Sequence, residues 1–195
     1  VIENIQRDVN IGLINEFYLV CNKLNINFNK VINLASTKWN FLKFKPGLVG
    51  GHCLPVDPYY FSHISKKNKI QTKITLAGRS INDSMAKVVE KKILDKLKKI
   101  DIKNKRIVIC GLSYKKDVAD LRNSLSLKIF NNIHKRNKDI KGYDPLINTD
   151  ISKKNKFITS PNSLSKFNVF IVLTNHTSLS NILKKFKNKI IFYPI

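Results

Sequence analysis

A chain of 195 residues, 43% of them hydrophobic, is long enough to bury one large core or two small ones. It has no run of eighteen apolar residues, no charged-then-apolar leader pattern, and three scattered cysteines, Cys21, Cys53 and Cys110; a membrane span, secretion, a disulfide framework and a metal site are therefore disfavoured, and a cytoplasmic protein with free thiols is expected. The 36 Lys and Arg against 13 Asp and Glu give a formal charge of +23, but the lysines are dispersed among Asn and Ile as biased base composition would leave them, and aromatic and basic residues do not interleave, so neither nucleic acid nor a membrane is the expected partner.

From Val1 to about Leu24, apolar residues at Ile2, Ile5, Val9, Leu13, Phe17, Val20 and Leu24 recur every three or four positions, which marks one face of a helix. The chain opens on a valine already inside that pattern, so the sequence is expected to begin within the helix. Residues 29 to 35 can form a short helix, 36 to 57 read as a loop around Pro46 and several glycines, and 58 to 67 as another helix. A longer helical pattern runs from Leu76 to Ile100 through Ile81, Met85, Val88, Val89, Leu94 and Leu97, with lysines outward. After Asn104 the period changes. RIVIC at 106 to 110, a helix from about Ser124 to Lys135, and DIKGYD at 139 to 144 read as a β-α-β unit; NVFIVLT at 168 to 174 and KIIFY at 189 to 193 add two buried-type strands around a helix from about Ser178 to Phe186. The expected class is α/β: a helical domain over 1–102, then a Rossmann-like parallel sheet with helices on both faces over 103–195.

The stretch KPGLVGGHCLPVDPYYF, Lys45 to Phe61, carries the chemistry. Gly47, Gly50 and Gly51 free the backbone for positive φ and for close approach of another molecule. Asp57 before Pro58 reads as a helix N-cap with proline at the first helical position, which puts Cys53 just upstream of a positive helix end, where a thiolate is favoured. Cys21 and Cys110 read as small buried hydrophobes. Asp144 before Pro145 reads as a turn residue, and His134 and His176 have no partner at meaningful spacing, so core or surface placement suffices for them.

On VIENIQRDVNIGLINEF (1 to 17), KWNFLKFKPGLVGGHCLPVDPYYF (38 to 61), IVICGLSYKKDVADLRNS (107 to 124) and GYDP (142 to 145), the chain resembles the UDP-glucose/GDP-mannose dehydrogenase family, NAD-dependent enzymes that oxidise C6 of a nucleotide sugar from alcohol to carboxylate. PGLVGGHCxxVDPYY after KWNFL is similar to the branch acting on UDP-N-acetylhexosamines, whose uronates enter surface polysaccharide precursors. The resemblance implies a central helical domain that forms a homodimer and a C-terminal domain that binds the UDP-sugar. It also implies an NAD-binding domain outside these residues, since no G-x-G-x-x-G precedes a helix here. By the match, Cys53 is the nucleophile that captures the intermediate aldehyde, Asp57 organises a lysine and the hydrolytic water, and Asn4 holds a water or the reacting oxygen. The family's lysine falls four residues before Asn4, one position ahead of Val1. The backbone of Gly47, Gly50 and Gly51 is expected to hold sugar and diphosphate with Lys45 as a cationic partner; Lys115 matches a lysine on the nucleotide sugar, and Arg122 an arginine towards the cofactor. At His52 the backbone is expected to matter more than the imidazole. A non-catalytic fragment that binds UDP-sugar and dimerises is the alternative.

Overall fold

The structure, a computed structural model, describes residues 1–147 and 156–195. They divide into two compact units, Val1–Met85 and Ala86–Ile195.

The first unit is helical. Helix α1 spans Ile2–Lys23, α2 Phe28–Ala35, α3 Asp57–Lys67, and α4 Lys73–Lys99, the division between the units falling within α4 after Met85. Asn27 starts α2 by accepting the Lys30 amide at 3.1 Å, the bond expected of an asparagine at a helix start. The packed face of α1 differs from the expected stripe. Of the seven apolar residues assigned to it only Ile5 is buried; the inward face is Ile5, Asp8, Gly12, Ile14, Asn15, Tyr18 and Cys21, because polar Asp8 and Asn15 meet polar partners on α4. Leu13, Phe17 and Val20 are instead 48%, 42% and 51% exposed. The helices α1 and α4 cross at glycine: a methyl group on Gly12 would stand 2.7 Å from the Gly78 carbonyl oxygen, a separation only hydrogen at that position allows.

In the second unit β1 (Ile107–Cys110), β2 (Lys141–Tyr143), β3 (Val169–Val172) and β4 (Ile190–Phe192) form one parallel sheet in the order β2-β1-β3-β4. The parallel sheet expected from the alternation is therefore present, with α5 (Leu125–Arg136) between β1 and β2 and α6 (Thr177–Leu183) between β3 and β4. All four residues of β1 and of β3 are buried, which explains their uninterrupted apolar runs. Val108, Cys110, Phe170 and Val172 pack with Leu164, Leu179 and Leu183 on one face, while on the other Gly142 lies against Phe130 of α5. Two expectations need correction. The KIIFY strand is half-buried at the sheet's end rather than of buried type, and Pro161–Lys166, read as no element, forms a 3-10 helix started by Ser160.

Candidate functional site

The loop between α2 and α3 delivers Cys53 to the surface of the first unit as an exposed free thiol. Its carbonyl accepts the amides of Val56 at 3.0 Å and Asp57 at 2.8 Å, so the cysteine and the aspartate belong to one tight turn entering α3. The capping expected of Asp57 is not what its carboxylate does. Helix α3 begins at Asp57 itself, with Val56 before it and no side-chain cap; Asp57 Oδ2 accepts a hydrogen bond from Asn4 Nδ2 at 2.8 Å. Fold and chain order thus bring Cys53, Asp57 and Asn4 together from positions 53 residues apart. His52 Nδ1 lies 3.3 Å from Cys53 Sγ, a contact the backbone reading of His52 did not include.

Of the three loop glycines only Gly51 adopts positive φ, at 94°. Gly47 and Gly50 do not, contrary to expectation. The Gly47 amide is bound at both ends by one side chain: its N–H donates to Asn15 Oδ1 at 2.8 Å and its carbonyl accepts Asn15 Nδ2 at 3.1 Å. A methyl group on Gly47 would meet nothing within 4 Å, so space for another molecule lies beside it. Lys45 is exposed next to this position.

Beneath the loop lies a buried polar network that the sequence did not reveal. Asn15 donates to Asn82 at 2.8 Å; Asn82 donates to the carbonyl and the carboxylate of Asp8, each at 2.8 Å; Arg79 donates to the same carboxylate oxygen at 2.5 Å and to the Leu54 carbonyl at 3.4 Å. Asp8, Asn15, Arg79 and Asn82 are all fully buried. Burial pushes the Asp8 carboxyl up from its ordinary value, with the Arg79 guanidinium and the Asn82 amide pulling against it. Asn15 thus grips the loop at Gly47, the first of its glycines, and Arg79 grips it just after Cys53. Asp8 and Asn15 lie two turns apart on α1, and Arg79 and Asn82 one turn apart on α4; that shared facing was the available signal.

In the second unit the segment after β1 carries Lys115 and Arg122, both exposed. It opens at Gly111, whose φ of +74° and whose approach to the Thr174 carbonyl, 1.9 Å from where a methyl group would sit, demand glycine. Asp144 is the anchor here, well beyond a turn role. Its Oδ2 accepts the amides of Leu112 at 2.7 Å and Ser113 at 2.9 Å, the Ser113 hydroxyl at 2.9 Å, and His176 Nε2 at 3.2 Å. Burial works against ionisation of Asp144, yet the hydrogen bonds from His176, Leu146 and Ser113 prevail and hold its carboxyl below the ordinary value. His176, expected to lack partners, is fully buried and also accepts the Asp117 amide on Nδ1 at 2.8 Å. Arg122 is turned onto Asp120 at 2.6 Å. Burial, with the Asp144 charge added, pushes the Cys110 thiol up, which leaves it an inert core residue.

Comparison with known proteins bears on both units. Residues 1–84 match the central domain of the UDP-glucose/GDP-mannose dehydrogenase family, and residues 108–193 match that family's UDP binding domain. Over 180 residues, 90% of this chain and 42% of the relative, it is 36% identical to the UDP-N-acetyl-D-glucosamine 6-dehydrogenase of Salmonella typhi. Over 131 residues, 66% of this chain and 31% of the relative, it is 46% identical to protein CapL of Staphylococcus aureus. The structure of the UDP-N-acetyl-mannosamine dehydrogenase Cap5O from S. aureus superposes with a TM-score of 0.79 at 32% identity, covering all of this chain and 46% of that one. The chain therefore spans less than half the length of these relatives. With both domain types matched in order, the chain belongs to the UDP-glucose/GDP-mannose dehydrogenase family.

Proposed function

We propose that these residues form the central and UDP-sugar-binding parts of an NAD-dependent enzyme that oxidises C6 of a UDP-N-acetylhexosamine to the uronate. The observation that carries this reading is the seating of Cys53 beside the Asn4–Asp57 pair, with the Asp57 amide bonded to the Cys53 carbonyl at 2.8 Å and Asn4 to the Asp57 carboxylate at 2.8 Å. The relatives at 36% and 32% identity, named for acting on UDP-N-acetylglucosamine and UDP-N-acetyl-mannosamine, support the substrate class.

Taking an alcohol to an acid requires an aldehyde to be retained midway. The Cys53 thiolate adds to its carbonyl to give a thiohemiacetal, which on oxidation becomes a thioester, and water attack on that ester frees the carboxylate and the thiol. Asp57 and Asn4 are the pair placed to hold that water or the reacting oxygen, Asn4 as a neutral donor. NAD, when bound, accepts the hydrides. On this chain Arg122 is the residue assigned towards it, and Asp120 holds that guanidinium in place. The open space at Gly47, with the exposed Lys45 two residues before it, fits an approaching sugar or diphosphate held by the backbone of Gly47, Gly50 and Gly51; the Gly47 N–H is already taken by Asn15, so Lys45 carries more of that role. Lys115 serves the nucleotide-sugar side. The product feeds surface polysaccharide synthesis. The outward apolar face of α1 supports homodimer formation through the central helices.

The test is Cys53→Ser in the full-length enzyme. Uronate formation is expected to fall at least a thousandfold while UDP-N-acetylhexosamine affinity stays within about threefold; lost affinity with turnover retained would overturn the assignment.

A further inference from the structure

We propose that His176 is a positioning residue for Lys115, joining the two anchors that bracket it. The inference rests on the UDP-sugar reading of the second unit. Lys115 is exposed two residues after Ser113 and two residues before Asp117. Ser113 is tied to Asp144 through its amide and its hydroxyl. Asp117 is tied from the other side. Its backbone N–H donates to His176 Nδ1 at 2.8 Å, and its carboxylate accepts the Thr177 amide and hydroxyl, each at 2.7 Å. Asp117 also holds φ at +58°, a left-handed conformation that a non-glycine residue keeps only when its surroundings impose it.

The imidazole joins these anchors. Because Nδ1 accepts from Asp117, the ring proton resides on Nε2, which donates to Asp144 Oδ2 at 3.2 Å. One fully buried ring therefore fixes the span between Ser113 and Asp117, and Lys115 stands midway along that span. A lysine on a free loop would reach a diphosphate only after its backbone had been ordered; here the ordering is built in before the ligand arrives. The ring itself is buried and makes its contacts with Asp117 and Asp144, so its influence on a ligand passes through the loop.

The experiment is a double-mutant cycle on the chain, with UDP-N-acetylglucosamine as the probe and isothermal titration calorimetry as the readout. His176→Gln keeps a donor for Asp144 but removes the acceptor for the Asp117 amide, and is expected to weaken binding about tenfold. His176→Asn places an amide oxygen where Nδ1 stood and is expected to recover most of that affinity. In a Lys115→Ala background His176→Gln should have no further effect. A tenfold loss that persists without Lys115, equal losses in the Gln and Asn variants, or undiminished binding by His176→Gln overturns the proposal. Should His176→Gln melt at the assay temperature, Thr177→Val loosens the same Asp117 anchor and runs through the same cycle; an effect surviving the loss of Lys115 overturns the proposal there too. A wild-type chain that fails to bind the probe overturns the UDP-sugar reading itself, and this inference with it.

Discussion

Arg79 and Asp8 stand 2.5 Å apart with neither side chain reaching solvent. A buried ion pair contributes little net stability, since desolvation offsets attraction, but removing one partner strands the other, typically at about 3–5 kcal/mol. Arg79→Met is therefore expected to destabilise the chain by about that amount in urea unfolding, and Asp8→Asn in the same background to recover part of it, because the stranded charge is gone. Asp144 answers to pH instead. Its carboxyl is held below the ordinary value in the folded state, so the stability it contributes is present above about pH 4 and lost as pH falls through its folded value. Melting temperature followed from pH 6 to pH 2 should decline, and Asp144→Asn should start lower and decline less steeply. Legibility at this scale depended on contiguity. Cys53 and Asp57 stand in one unbroken motif, from which both could be nominated. Asp8, Asn15, Arg79 and Asn82 were not singled out, since a partner 67 to 74 positions away is not marked by either residue's neighbours, and only their shared helical facing hinted at it. His176 was missed for the same reason: its partners Asp117 and Asp144 lie 59 and 32 positions away.

The elements themselves were largely readable, because hydrophobic period and punctuation by glycine and proline are local properties. What periodicity did not say was which way α1 faces. Its apolar stripe marks one face, yet the fold buries the neighbouring face, where Gly12 lets the backbone meet α4 and polar residues find polar partners. Gly12→Ala separates the two effects. On helix propensity alone the change would stabilise by about 1 kcal/mol. The added methyl group, 2.7 Å from the Gly78 carbonyl oxygen, has backbone in its way and cannot be accommodated by a side-chain rotation; overpacking of this kind costs about 1–3 kcal/mol. The variant is expected to melt lower than the parent, and a higher melting temperature would refute the close crossing. Strand lengths were overestimated at both ends of the sheet, β2 and β4 covering three residues each, since outer strands lose pairing where the chain turns away.

For the molecule as a whole, the order of a helical part and then a parallel sheet followed from a change of period after residue 104, and the structure bears it out. A formal charge of +23 says little about the fold and much about association: copies repel unless a specific apolar surface draws them together. On the homodimer reading proposed above, the exposed Leu13, Phe17 and Val20 of α1 form that surface, and Leu13→Glu with Phe17→Glu is expected to shift the protein from two copies to one in sedimentation velocity, with helix content by circular dichroism unchanged. The sheet has a related property. On the outer side of β2, Gly142 donates its N–H to the Lys156 carbonyl and accepts from the Ile158 amide, both at 2.8 Å, so that margin is already occupied by the chain's own backbone. Among the described residues β4 forms the other margin, and the sequence leading into it carries Lys184, Lys185, Lys187 and Lys189, charges of the kind that discourage pairing at an exposed edge. Pairing of one sheet onto the next is thereby met on the β2 flank by an edge already occupied and discouraged on the β4 flank by charge.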